Sequence, residues 1–151
     1  MPTNFDADLL ILLNDVARQM RTTADQMARE HGTTRAQWIV LARLERQPGL
    51  SQNELAAIVE VAPITIARLI DRLEDLGLVE RRADLNDRRV WRLRLTPAAA
   101  PVLSDLHRYR TKLHGLMTRG IDPAVLDAMT TGLRRMKTNL TSSRRLTEAT
   151  A

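Results

Sequence analysis

A change of period after Gly77 constrains this chain more than any other feature of it. Upstream, apolar residues recur every three or four positions, the spacing that lines one face of an α-helix. Downstream, Trp91, Leu93 and Leu95 alternate with Arg92, Arg94 and Thr96, the period of a half-buried strand. Residues 78–82 can pair with that strand, and Ala83-Asp84-Leu85-Asn86-Asp87 supplies turn chemistry between the two. A helical chain therefore carries one short β-hairpin, and that hairpin is rich in arginine.

The helices are set out by their stop and start signals. Residues 6–30 read as one helix with Leu9, Leu13, Val16, Met20, Ala24 and Met27 on a stripe, ended by Gly32. Thr34 caps a second helix over 35–47, which carries Trp38, Ile39, Leu41, Ala42 and Leu44 and stops at Pro48-Gly49. Ser51 and Glu54 form a capping box for a short third helix through about Val59. Pro63, at a first helical position, opens a fourth that runs to Leu76, with Ala62 a poor cap in front of it. Its buried side is expected to be Ile66, Leu69, Ile70, Leu73 and Leu76. Thr96-Pro97 starts a fifth helix to about Arg119, with Val102, Leu106, Tyr109, Leu113 and Leu116 as its stripe. Asp122-Pro123 starts a sixth, with Leu126, Met129, Leu133, Met136 and Leu140. The polar tail from Thr141 onward is expected to fray.

Composition narrows the function. At 151 residues the chain suits one structural domain with a proper core. The absence of cysteine excludes a disulfide scaffold, a thiolate metal site, a cysteine nucleophile and thiol redox sensing. The longest apolar run, Leu9 to Leu13, falls far short of the roughly 20 residues of a membrane helix. Asp6, Asp8 and Asp15 precede the first basic residue, Arg18, so the N-terminus does not read as a signal peptide. A net charge of +5 and a pI of about 10.8 invite a polyanion. Only Lys112 and Lys137 among the 23 basic residues are lysine, a skew that codon bias can also produce, so position must decide. His31, His107 and His114 lack metal-ligand spacing and read as structural or surface residues; no metal, cofactor or catalytic group is expected.

Helix, helix, tight turn, helix and then a basic hairpin is the winged helix-turn-helix arrangement. A helix fits the major groove of DNA, and a projecting hairpin can reach the adjacent minor groove or backbone. The long helices at both ends cannot find a full core around so small a module, and their stripes suggest a second copy of the chain as partner. The stretch from Leu55-Ala56 through Ile66-Ala67-Arg68-Leu69-Ile70-Asp71-Arg72-Leu73-Glu74-Asp75-Leu76-Gly77-Leu78-Val79-Glu80-Arg81 resembles the MarR family of bacterial transcriptional regulators. Asp87-Arg88-Arg89-Val90, followed by Leu95-Thr96, is similar to that family's wing signature, and Trp38 brings the chain nearest the SlyA-like branch.

The resemblance implies a cytoplasmic homodimer at the nucleoid of a bacterium or archaeon. It would bind a pseudo-palindromic operator in double-stranded DNA, usually as a repressor released by a small, often aromatic acid. Residues 1–33 and 98–151 would form dimerisation helices and residues 34–97 the winged helix-turn-helix lobe. A rival reading is a winged-helix protein-interaction module without specific DNA binding.

On the fourth helix Ile64 and Arg68 point away from the buried side, flanked by Thr65 and Arg72 just behind Pro63. Ile64 suits a thymine methyl, Arg68 bidentate guanine readout, and Thr65 a base edge or phosphate. Asp71 and Asp75 would face solvent or pair with nearby arginines. In the wing, Asp87 can hold the Arg89 guanidinium ready for the minor groove, leaving Arg81, Arg82, Arg88 and Arg92 for phosphates. Ser51 and Gln52 would meet the DNA backbone at the start of the third helix. For an effector, the resemblance implies a pocket walled by Trp38, with Arg18 or Arg21 holding a carboxylate; the alternative for Trp38 is a core residue that locks the second helix to the first. Arg134, Arg135, Lys137, Arg144 and Arg145 form a second basic run, read as a solvated face that can pair with Asp6, Asp8 and Asp15 across the dimer.

Overall fold

The computed structural model describes residues 8–148, side chains of 143–148 excepted. Its elements are α1 (Leu9–Glu30), α2 (Arg35–Arg46), α3 (Gln52–Val59), α4 (Pro63–Asp75), β1 (Val79–Ala83), β2 (Trp91–Leu95), α5 (Ala100–Met117) and α6 (Pro123–Glu148). The fold is mainly α with a single antiparallel hairpin, as the periods require.

Side chains fix most helix starts by taking up amides that the helix itself leaves free. Asp8 caps α1 through Oδ1, which accepts from the Leu10 and Ile11 amides at 2.8 and 3.3 Å; it lies in front of the helix rather than inside it. Residues 6 and 7 of the expected helix lie outside the described residues. Thr34 and Gln37 form a full capping box, and so do Ser51 and Glu54. Ala62 makes no side-chain cap, and α4 starts on Pro63 alone.

Between α3 and α4 the chain turns in three residues, Glu60 to Ala62, with Glu60 in the left-handed region at φ 54°. That conformation is uncommon without a glycine and gives no sequence signal. Gly77, at φ 70°, makes the corresponding turn from α4 into β1.

The core gathers Leu41 and Leu44 of α2, Leu55 of α3, Ile66, Ile70 and Leu73 of α4 and Leu93 of β2, all sealed from solvent. Leu103, Leu106 and Tyr109 of α5 are buried as well. The hairpin register is Val79↔Leu95, Glu80↔Arg94, Arg81↔Leu93, Arg82↔Arg92 and Ala83↔Trp91. The free edge of β2 is covered too: Gly49 N donates to Leu93 O and Leu93 N donates to Leu50 O, both at 2.9 Å. The α2–α3 connection thus adds a strand-like third edge that tethers the hairpin to the helices.

Several expectations need correction. Leu76 is the C-cap of α4 and lies 55% exposed, because the helix ends before the buried stripe returns to it. Trp91 is half exposed, since it sits opposite Ala83 at the outer end of a hairpin whose base alone meets the core. A 3-10 turn, Pro97–Ala99, precedes α5; Leu106 and Tyr109 of the expected stripe are buried, but Leu103 is buried in place of Val102 and Leu116 is exposed. The sixth helix continues through residues 141–148 instead of fraying at Thr141.

The chain forms two compact units, divided after Tyr109. Compactness thus groups α1 with the winged lobe, whereas the grouping expected from sequence was by role in a dimer.

Candidate nucleic-acid interface

The candidate interface starts from the amphipathic build of α4. Ile66, Ile70 and Leu73 are fully buried, which turns Ile64, Thr65, Arg68, Asp71, Arg72 and Asp75 outward on the opposite side and its flanks. Pro63 at the helix start is exposed as well. Ile64 is 62% exposed at the first turn, with nothing apolar covering it. Asp71 pairs with Arg81. The guanidinium groups of Arg68 and Arg72 make no hydrogen bond or ion pair among the described residues, so both are open to a ligand. The second helix of the motif therefore presents a basic face with one apolar and one hydroxyl residue near its N-terminus.

The hairpin turn is organised by Asp84. Its Oδ1 accepts from the backbone amides of Asn86 and Asp87 at 2.8 and 3.0 Å. Asp84 N donates to Val90 O at 2.9 Å and closes the turn. At the tip, Asp87 Oδ1 accepts from Arg89 N at 3.0 Å and Nε at 3.2 Å, and Oδ2 accepts from Arg89 Nη2 at 3.4 Å. The Asp87 carboxyl is held below its ordinary pKa, first by the Arg89 side chain and then by the Arg89 amide. The Arg89 side chain stays 91% exposed, so it is oriented by its neighbour yet open to solvent.

The remaining arginines divide into two groups. Arg82, paired with Glu80, and Arg88 are exposed on the surface of the hairpin. Arg81 and Arg92 are turned into the lobe. Arg81 donates to Gln52 Oε1 at 3.0 Å and pairs with Asp71 and Glu74 of α4, which pins β1 to both helices of the motif. Arg92 donates to Asp84 Oδ2 at 2.7 Å, to Glu54 Oε2 at 3.0 Å and to Gly49 O at 3.4 Å. The Arg92 hydrogen bond, followed by the two turn amides, brings the Asp84 pKa down to about 2.

Ser51 and Gln52 are occupied inside the lobe. Ser51 Oγ accepts from Glu54 N at 3.2 Å, its amide donates to Glu54 Oε2 at 2.8 Å, and Gln52 holds Arg81. Glu54 and Asp84 were not among the residues singled out for the site. Their signal in the sequence is only a capping box and a turn, and the arginine they share stands 38 residues beyond Glu54 and 8 beyond Asp84.

Trp38 packs in the core at 3% exposure, with its ring 5.4 Å from that of Tyr109 and 6.1 Å from that of His31. Trp38 Nε1 and the Tyr109 hydroxyl are both buried and meet no partner among the described residues. Burial, followed by the negative charge of Asp25, raises the Tyr109 pKa. Arg18 and Arg21 are exposed on α1, and Arg18 pairs with Asp15 at 3.0 Å. Of the acids expected to meet the second basic run, Asp8 is spent on its cap and Asp15 on Arg18; Asp6 and the side chains of Arg144 and Arg145 lie outside the described residues. Among the described residues no cluster of histidine and carboxylates could hold a metal ion. His31 lies 3.3 Å from Asp105, and His107 Nε2 lies 3.0 Å from Glu45.

A helix-turn-helix with an open basic face, followed by a hairpin that exposes an oriented arginine, defines a winged-helix protein. Residues 33–91 match the sequence model of the MarR family. The structure of the transcriptional regulator SlyA is similar, with a TM-score of 0.80 at 25% identity over 91% of this chain and 96% of that one. A structure of MarR gives 0.79 at 27% identity over 95% and 97%. The fold is shared by MepR from S. aureus, solved in complex with DNA, at 0.76 and 21% identity over 89% and 98%. Residues 33–91 thus carry a MarR-type segment, set within a fold that the chain shares with the transcriptional regulators SlyA and MarR. No helix among the described residues is long and apolar enough to cross a membrane.

Proposed function

We propose that this chain is a homodimeric repressor that binds a pseudo-palindromic operator in double-stranded DNA and leaves it when a small aromatic or anionic effector binds. The observation that carries the reading is α4: sealed on one side by Ile66, Ile70 and Leu73, it presents Ile64, Thr65, Arg68 and Arg72 outward, with both guanidinium groups unpaired. In this reading α4 lies in the major groove, where Arg68 reads a guanine and Ile64 meets a thymine methyl. Arg89 enters the minor groove, and Arg82 and Arg88 meet phosphates. The MepR–DNA structure supports the reading by the fold it shares with this chain.

The dimer is supported by apolar residues that α1 and α6 each leave exposed, among them Leu9, Val16 and Met20 on one and Met129, Leu133 and Leu140 on the other. The residues before 34 and after 97 then serve dimerisation, and the segment between them serves DNA. Two-fold symmetry sets half-sites about one helical turn apart. For the effector, the unpartnered Trp38 Nε1 and Tyr109 hydroxyl are groups that a ligand with a donor and an acceptor would satisfy, with Arg18 or Arg21 available to a carboxylate. The regulator works in the cytoplasm, on the nucleoid.

The test is retention of the DNA upstream of the chain's own gene in a gel shift. Binding that survives competition by scrambled duplex supports the proposal. Equal binding to both sequences overturns the operator reading, and no binding to either overturns DNA binding itself.

A further inference from the structure

Hydrogen bonds run without a break from the start of α3 to the tip of the hairpin, and we infer that Arg92 and Asp84 are positioning residues, which set the pose of Arg89 without touching DNA themselves. The inference rests on the DNA-binding reading of the wing. The chain of bonds begins at Glu54, whose Oε2 accepts from Ser51 N at 2.8 Å and from Arg92 Nη1 at 3.0 Å. The same guanidinium donates through Nε to Asp84 Oδ2 at 2.7 Å. The other oxygen of Asp84 holds the amides of Asn86 and Asp87 at 2.8 and 3.0 Å. Asp87 then carries Arg89 on both its carboxylate oxygens. One end of this relay is the first turn of the helix-turn-helix, and the other is the arginine proposed for the minor groove.

Two observations separate Arg92 from a phosphate contact. Its side chain is 33% exposed against 91% for Arg89, and its donors already meet two carboxylates and a carbonyl. Moving it onto a phosphate would leave Asp84 and Glu54 uncompensated beside a polyanion, an exchange that gains one charge-assisted pair and forfeits two. A preorganised Arg89, by contrast, enters the groove with less freedom left to lose.

The charges give the experiment its sign. Asp84→Asn removes a negative charge from a surface that meets DNA. If Arg92 were a phosphate contact held back by Asp84, this change would free it and tighten binding. Positioning requires the opposite. Asp84→Asn, Arg92→Gln, Arg92→Lys and Arg89→Ala are made in the full chain, singly and with Arg89→Ala in pairs. Each is titrated onto duplex DNA by fluorescence anisotropy across a salt series, and amide exchange at residues 86–89 is followed in the DNA-free protein.

Asp84→Asn and Arg92→Gln should each speed that exchange and weaken DNA binding by about 3- to 10-fold per half-site, the effect of freeing one long side chain. The salt dependence should not change, and neither variant should add to the defect of Arg89→Ala. Arg92→Lys keeps the charge but not the planar fork, so it should restore neither exchange protection nor affinity. Tighter binding by Asp84→Asn, or a shallower salt dependence for Arg92→Gln with exchange unchanged, would overturn the inference. Equal binding by wild type and Arg89→Ala would instead remove the wing from the proposed function, and this inference with it.

Discussion

The winged lobe and α6 use the same sequence pattern and end in opposite states. In the lobe, apolar residues three and four apart along α4 are sealed, with Ile66, Ile70 and Leu73 at 0% exposure. In α6 the same spacing leaves Met129, Leu133 and Leu140 at 49%, 45% and 72%. A periodic stripe states which side of a helix is apolar, and only the neighbours decide whether it is covered. The lobe has its neighbours on the chain: α2, α3 and β1 close around α4. The stripe of α6 has yet to be covered, and burying each such side chain would contribute about 1.5–3 kcal/mol. That contrast is the argument for a second copy of the chain.

The severest way to break the comparison is to delete residues 121–151. If α6 is what a second copy covers, the truncated protein should be aggregated or unfolded in size-exclusion chromatography and circular dichroism. A folded, well-behaved monomer would show that the exposed stripe needs no partner.

Point substitutions sharpen the contrast. Ile70→Ala should destabilise the lobe by about 2–5 kcal/mol in denaturant unfolding, whatever the protein concentration. Leu133→Ala should act on assembly instead, giving a thermal midpoint that depends more steeply on protein concentration than that of the wild type. If the two variants behave alike, the lobe and α6 do not differ in the way proposed.

A smaller effect separates the reading face of the lobe from its gripping face. Arg68→Ala should weaken operator binding by about 1–3 kcal/mol per contact and leave scrambled DNA much less affected. Arg82→Ala should weaken both sequences alike and flatten the salt dependence by about one phosphate per protomer. Wild-type affinity and specificity for Arg68→Ala would move the recognition face elsewhere.

The smallest expected effect is the acid limit of the wing turn. The folded-state pKa of Asp84 is depressed from 3.8 to about 2. Its contribution is therefore fully present above about pH 4 and is lost as the pH falls through about 2. Carboxyl carbon shifts of Asp84 should titrate with that low midpoint in the wild type and with a higher one in Arg92→Gln, still below the ordinary aspartate value while the Asn86 and Asp87 amides hold the carboxylate. An unshifted midpoint in the wild type would mean that the Arg92 clamp does not hold in solution.

Much of the architecture was legible because it depends on short-range rules. The Ser51/Glu54 box, Pro63, Gly77 and the alternation at residues 91–96 locate α3, α4 and the hairpin to within a residue or two. Asp87 and Arg89 are two residues apart, so their pairing could be read directly. The misplaced residues share another cause. Leu76 and Trp91 continue a correct pattern beyond the point where tertiary cover ends. Arg81 and Arg92 belong to a basic run that, taken alone, looks like a row of phosphate contacts. Each is claimed by carboxylates that lie distant in the chain: Glu54 stands 38 residues before Arg92, and Asp71 stands 10 before Arg81.

The sequence by itself determined the order of elements, the caps that start them, the apolar side of each helix and the arginine content of the hairpin. All of these follow from backbone geometry and from residues within about one turn of each other. The tertiary structure alone decided which arginines remain free. A guanidinium is neutralised by whatever carboxylate the fold brings within about 3 Å, and the α2–α3 connection has to dock on β2 before Glu54 can reach Arg92.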